Sequence, residues 1–272
     1  MSTYVYGITA GSHPSLPEGM DGVGTPACPV RVIQESGLAA VVSDAPEGLR
    51  PKRKDLLAHQ NVLAEVGAAG PVLPMRFGSI ATDDATVAGV LAERADHYKE
   101  RLDALAGKVE YNVKASHEEE AVLHRVMTEN PEVRALTEAN RQADGGSYQQ
   151  KLKLGEMVVA AVKSREAEDA AELQHALEPA ADAMSAGPES SGWLANLSFL
   201  VARESAEMFL AAVEQVRKSH PHLDVRVNGP LPPYSFVDPG PSEPADNTIG
   251  SDAGTDAEVD RIQDRMQEPV QE

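Results

Sequence analysis

Residues 71–80 read PVLPMRFGSI. Leu73, Met75 and Phe77 alternate with other residues, the period of a strand with one buried face. Three residues disturb that pattern. Pro74 has no N–H to give to a ladder, so the strand belongs at a sheet edge or a bulge. Arg76 stands between two large apolar residues and projects from the opposite face. Gly78 leaves room above the backbone beside it. The stretch is therefore expected to be one strand, anchored to helices by Leu73, Met75 and Phe77, with Arg76 on an open sheet face. A guanidinium there can pair with a carboxylate of the same chain or of a partner.

Working outward, TYVYGIT (3–9) reads as a first strand, rich in β-branched and aromatic residues. A Gly/Pro loop runs from Gly11 to Pro29. VRVIQ and LAAVV flank the turn signal Glu35-Ser36-Gly37 and predict a hairpin. Leu56, His59, Leu63 and Val66 recur at helical spacing over residues 52–67. His59 thus lies on the inward face of a helix just ahead of the Arg76 strand. One reading is a buried histidine bonded to backbone, and another is a small polar site shared with Arg76. After the quoted stretch, Thr82 is the expected N-cap, and Val87, Leu91, Ala95, Tyr98, Leu102 and Leu105 predict a single long helix ended by Gly107. Residues 1–106 form an N-terminal α+β domain: an antiparallel sheet with helices on one face.

Gly107 marks the expected boundary. VEYNVKAS (109–116) is a strand, followed by a helical region broken at Asn130-Pro131 and at Asp144-Gly145-Gly146. The third helical piece carries Tyr148, Leu152, Met157, Val159 and Val162. Residues 179–186 are ambiguous: their alanines favour helix, their position a short strand. GWLANLSFLV (192–201) is a strand, 203–219 a helix with Ala206, Phe209, Leu210, Val213 and Val216 inward, and LDVRVNG (223–229) a last strand. GPLPPYSFV closes the fold in extended form. The order in residues 107–237 is that of a ferredoxin-like domain with extra helices.

Residues 238–272 hold ten acidic and two basic residues with many Pro, Gly and Ser. They are expected to form a disordered, solubilising acidic tail. Val259, Ile262 and Met266 sit in it at helical spacing.

The whole chain has 272 residues, a net charge of −19, and only 4% aromatic residues. That charge opposes binding to nucleic acid or to anionic lipid. Cys28 is the only cysteine, so no internal disulfide and no cysteine metal cluster forms. The N-terminus lacks the basic-then-apolar pattern of a signal peptide, no apolar run is long enough to cross a membrane, and a cytosolic location is expected. His220-Pro221-His222 reads as a helix-ending loop rather than a metal site. His117 and His124, seven apart, read as surface residues of one helix. No nucleophile, phosphate-binding loop or metal set is recognisable. The expectation is a protein without catalytic residues, metal, cofactor or small-molecule substrate.

LPMRFGSI resembles the LPMRFG motif of the gas-vesicle accessory proteins of the GvpF/GvpL family. The YVYGI opening, DLLAHQNVL ahead of the motif, ANLSFLV and the GPLPPYSFV ending agree in order, from about residue 3 to residue 237. The resemblance implies two α+β domains, the second ferredoxin-like with extra helices. It implies a cytosolic accessory or minor structural protein, associated with gas vesicles and needed for their assembly. Its partners would be the hydrophobic main shell protein and other accessory proteins. The family has no catalytic residues to carry over. PAADAMSAGPESS is poor in strand formers where the plan needs its second strand. Arg76, Met75, Phe77 and His59 are the partner-binding candidates. The alternative is a small-ligand sensor or enzyme with a polar site near His59 and Arg76.

Overall fold

The computed structural model describes residues 1–13, 16–17, 19–143, 145–188 and 192–237. The acidic tail and its expected disorder lie outside the described residues. The chain divides into two compact units: Met1–Val109 with residues 231–237, and Glu110–Pro230.

The first unit is built on β1 (Thr3–Ala10), whose residues are nearly all buried. On one side β1 pairs antiparallel with β3 (Leu38–Asp44), which pairs in turn with β2 (Arg31–Glu35). The hairpin between β2 and β3 turns on Ser36 and Gly37, both at positive φ, as a tight two-residue connection demands. Helix α1 (Arg53–Ala69) buries Leu56, His59, Val62, Leu63 and Val66. The central cluster joins Val62, Leu63 and Val66 of this helix to Tyr4, Tyr6, Val41 and Val72. A chain poor in aromatic residues has placed two of its tyrosines at its centre.

The quoted stretch is two strands rather than one. β4 (Val72–Pro74) pairs with Gly7 to Thr9, and β5 (Ile80–Ala81) pairs with Thr3 and Tyr4, both along the same side of β1. Met75 to Ser79 leave the sheet between them. Pro74 ends its strand because it cannot continue the ladder. Gly7 makes the close approach of β4 to β1 feasible, since a Cβ there would lie 2.9 Å from both the Leu73 carbonyl and Val72 Cγ2.

The expected long helix is also two, α2 (Asp84–Glu93) and α3 (Ala95–Leu105), broken at Arg94. Asp83, not Thr82, caps α2 by accepting from the Thr86 N–H. Thr82 instead bonds the Thr86 hydroxyl. Residues 231–237 belong to this unit: Tyr234 packs on the central cluster, and the Phe236 and Val237 carbonyls accept from Arg101. The prolines here lead into a short 3-10 turn at Tyr234–Phe236 rather than a fully extended end.

The second unit has strands β6 (Lys108–His117), β7 (Ala183–Ala186), β8 (Ala195–Ala202) and β9 (Leu223–Leu231) in the sheet order β7-β8-β6-β9. Numbered within the unit this is 2-3-1-4, the ferredoxin-like order. Three helices, α4 (Glu119–Glu129), α5 (Pro131–Gln142) and α6 (Tyr148–Leu177), fill the first crossover, and α7 (Ala206–Ser219) the second. Asn130 caps α5 through bonds from the Glu132 and Val133 N–H groups, with Pro131 at its first position. Ser147 and Gln150 form a capping box at the start of α6.

The alanine-rich segment 179–186 resolves into a 3-10 turn and then β7, held antiparallel to β8. On α6, Tyr148, Leu152 and Val159 are exposed, and on α7 Leu210, expected inward, is exposed as well. Met157 and Val162 do pack, against Val122, Val126 and Val133. Among the described residues no helix is long and apolar enough to cross a membrane.

Two glycine substitutions should act in opposite directions in thermal unfolding. Gly7→Ala forces β4 off β1 and should cost about 1–3 kcal/mol. Gly89→Ala, at an exposed position of α2 with nothing near its Cβ, should gain about 0.5–1 kcal/mol.

Candidate functional site

The turn Met75–Ser79 is tied to β1 at both ends. The Met75 N–H donates to the Tyr6 carbonyl at 2.8 Å, and the Val5 N–H donates to the Ser79 carbonyl at 2.9 Å. Within the turn, the Ser79 N–H and hydroxyl both donate to the Arg76 carbonyl. Gly78 sits at φ +91°, which a side chain would strain. Its N–H donates to the Tyr4 hydroxyl at 3.2 Å.

His59 completes this arrangement from below. Its Nε2 lies 3.1 Å from the Met75 carbonyl and its Nδ1 2.9 Å from the Tyr4 hydroxyl. A carbonyl only accepts, so Nε2 carries the proton. Nδ1 is then the acceptor, and Tyr4 donates to it while accepting from Gly78. Burial lowers the His59 pKa from 6.5 to about 4, against the Met75 bond, which favours the proton. Burial also raises Tyr4 well above its usual value. Both groups are therefore neutral at physiological pH.

Phe77 sets its ring edge-on against Tyr4 and His59, with centroids 6.0 and 5.8 Å apart. Met75 and Phe77 are half-buried and root the turn, while Arg76 is exposed at its apex. The structure thus gathers His59, Met75 and Phe77 into one neutral cluster and presents Arg76 outside it. The His59 ring nitrogens are occupied by Tyr4 and Met75, so the polar pair imagined for His59 and Arg76 is replaced by a buried buttress. The cavity beside it, lined by Val5, Ile8, Met75, Val87 and Leu91 among others, is apolar and about 20 Å³, room for no more than one water.

A second polar cluster lies in the Glu110–Pro230 unit, and sequence reasoning missed it. His117 ends β6 rather than lying on a helix with His124, and it is almost fully buried. Its Nε2 is 2.8 Å from Asp169 Oδ2, and His222 Nε2 is 2.9 Å from the same oxygen. Asp169, wholly buried on α6, takes its other oxygen to Arg165. Burial pushes the Asp169 carboxyl up, but the bonds from Arg165, His117 and His222 outweigh it and hold the group at about 2. Burial lowers His222 despite its Asp169 bond. Next to these, His220 Nε2 meets Glu172 Oε2 at 2.8 Å. The partners are 48 to 53 residues apart in sequence, and only His220-Pro221-His222 gave a local hint. His117, Asp169 and His222 have the donor types and convergence to hold a metal ion, as do Asp169, Glu172 and His220.

The family model described as gas vesicle synthesis protein GvpL/GvpF matches residues 2–238. The chain belongs to the GvpL/GvpF family. It is 63% identical over 238 residues to gas vesicle protein F of Streptomyces sp. (strain CB03234), covering 88% of this chain and 100% of that protein. Gas vesicle protein L of the same strain is 28% identical over 256 residues, covering 86% and 92%. The crystal structure of GvpF from Anabaena sp. PCC7120 superposes with a TM-score of 0.69 at 25% identity, covering 88% of this chain and 99% of that one. GvpF from Microcystis aeruginosa gives a TM-score of 0.66 at 23% identity over 87% and 99%, a likeness of fold. A GvpL/GvpF protein works in gas vesicle formation, and its fold is the mixed, two-part α+β one described above. The LPMRFG motif of this member is the edge strand β4 and the turn that follows it.

The histidine buttress gives a pH dependence with a definite sign. The unfolded chain binds a proton at His59 near pH 6.5, the folded chain only near pH 4. The unfolded state therefore binds more protons between these values. The His59 contribution is complete above pH 6.5 and declines as pH falls toward 4, by about 3 kcal/mol in all. Chemical denaturation of the wild type and His59→Asn across that window should show the variant lacking this part of the slope.

Proposed function

We propose that this GvpL/GvpF protein is an F-type accessory factor of gas vesicle assembly. It acts in the cytoplasm, binds the hydrophobic main shell protein, and contacts other accessory proteins. The F-type assignment rests on 63% identity to a gas vesicle protein F against 28% to the L protein of the same strain. The observation that carries the binding reading is the turn itself. Arg76 stands exposed on a five-residue turn that two strands, a tyrosine and a histidine hold rigid, and arginine presented on a preorganised backbone is a common anchor of protein interfaces. Shell subunits that wall off a gas must expose apolar surface to one another, so they aggregate when free. A partner with a net charge of −19 stays soluble while holding them. Nothing in this reading calls on catalysis or on a cofactor. The sensor or enzyme alternative loses its main support because His59 has no free ring nitrogen.

The test is co-expression with the shell protein followed by capture, using the full chain, a chain lacking residues 238–272, and Arg76→Ala. Capture by the full chain is expected, with Arg76→Ala reducing it about tenfold and leaving the melting temperature unchanged. Normal capture and normal vesicle yield with a folded Arg76→Ala protein would remove the turn from the interface. Absence of capture by the full chain would remove the shell protein as direct partner.

A further inference from the structure

We propose that His117, Asp169 and His222 form a binding site for one divalent metal ion of the zinc class. Three potential ligand atoms, His117 Nε2, His222 Nε2 and Asp169 Oδ2, converge from the end of β6, the residue just before β9 and the last third of α6. The two nitrogens stand 2.8 and 2.9 Å from the oxygen. Around a tetrahedral zinc ion, ligands at 2.0–2.1 Å lie about 3.3 Å apart. An opening of a few tenths of an ångström therefore admits the ion. Two imidazoles and one carboxylate suit zinc and its transition-metal neighbours, whereas calcium and magnesium prefer all-oxygen sets.

The surroundings match what such ligands need. Arg165 bonds Asp169 Oδ1 and leaves Oδ2 for the ion, the outer support that ligating carboxylates usually have. Arg125 Nη1 lies 3.0 and 3.1 Å from the two nitrogens of His222. Near-equal distances place it over the ring face, so the in-plane lone pair of Nε2 is not blocked. Glu172, half-exposed, offers a further oxygen in an adjoining set with Asp169 and His220. In the metal-free cluster each ring points Nε2 at Asp169 Oδ2, which accepts the hydrogen bond. With the ion bound, Nε2 gives its lone pair to the metal and the ring carries its proton on Nδ1. The Nδ1 of His117, buried and without a hydrogen-bond partner among the described residues, takes that proton. Arg125 and Arg165 oppose a dication and make the site weaker than one built on cysteine thiolates.

The measurement uses the full chain, stripped with a chelator and titrated with zinc chloride under equilibrium dialysis. One zinc per chain is expected, with a melting temperature that rises as free zinc rises. His117→Gln and His222→Gln should each weaken binding at least tenfold, while His124→Gln, on the exposed side of α4, should leave it unchanged. Nitrogen-15 spectra of the wild-type histidines read the same event without mutation: two rings should pass from the Nε2–H to the Nδ1–H form at saturation. Three results would overturn the proposal. They are no stoichiometric zinc, equal binding by the His117→Gln/His222→Gln double variant, and ring protons that stay on Nε2 at saturating zinc. Any of these leaves a hydrogen-bonded cluster only.

Discussion

One hydroxyl group organises the first unit. Along one side of β1 the pairing passes from β5 to β4, and between them β1 has no strand beside it. Tyr4 fills this gap chemically, accepting from Gly78 and donating to His59. His59 in turn holds the Met75 carbonyl. A net gain of about 1 kcal/mol per hydrogen bond is modest, but leaving a buried partner unsatisfied costs about 1–3 kcal/mol. The network matters mainly through that penalty. Any other course of the turn would strand polar atoms in a cluster otherwise made of Tyr, Val, Leu and Phe side chains. The exposed Arg76 takes its position from a turn that this network holds.

The second unit answers the same problem with charge. Asp169 is buried as an ion, compensated by Arg165 and two imidazoles. Such a group is far less forgiving than a neutral one, since removing one partner of a buried pair costs about 3–5 kcal/mol. Hydrogen-bonding groups of α6, β6 and β9 are thus locked into one geometry.

How much of this was legible in the sequence follows from the range of the forces involved. Ser36-Gly37 and Asn130-Pro131 announced their turn and cap because the reasons are local: positive φ in one case, a side chain reaching its own helix start in the other. The apolar alternation through Leu73, Met75 and Phe77 was real but misleading as a strand. Met75 and Phe77 fill the core from a turn, so the period outlasted the ladder that Pro74 ended. The break at Arg94 has no Gly or Pro to mark it, and the apolar stripe runs across it. AMSA became a strand through its pairing with β8, a tertiary cause that overrides weak propensity. Leu210 on α7 shows the converse error, in which helical spacing was equated with burial. His59 was placed correctly on an inward face, but its bond to Tyr4 spans 55 residues and no spacing rule reaches that far. The Asp169 cluster was invisible for the same reason.

Helix α6 carries a consequence of its own. Its 30 residues extend about 45 Å, and its two ends answer to different neighbours. Leu154, Met157 and Val158 face the cluster of α4 and α5, while Asp169, Leu173 and Leu177 are buried further along. Each residue advances the helix by about 100°, so the angular phase between these two faces is set by the number of residues separating them. A one-residue insertion between Val158 and Asp169 would swing one face away from its neighbours while the other stayed in place. Steps of about seven or eleven residues nearly restore the phase. Length variation in this part of the family should therefore be quantised, permitted in near-integral turns and excluded between them.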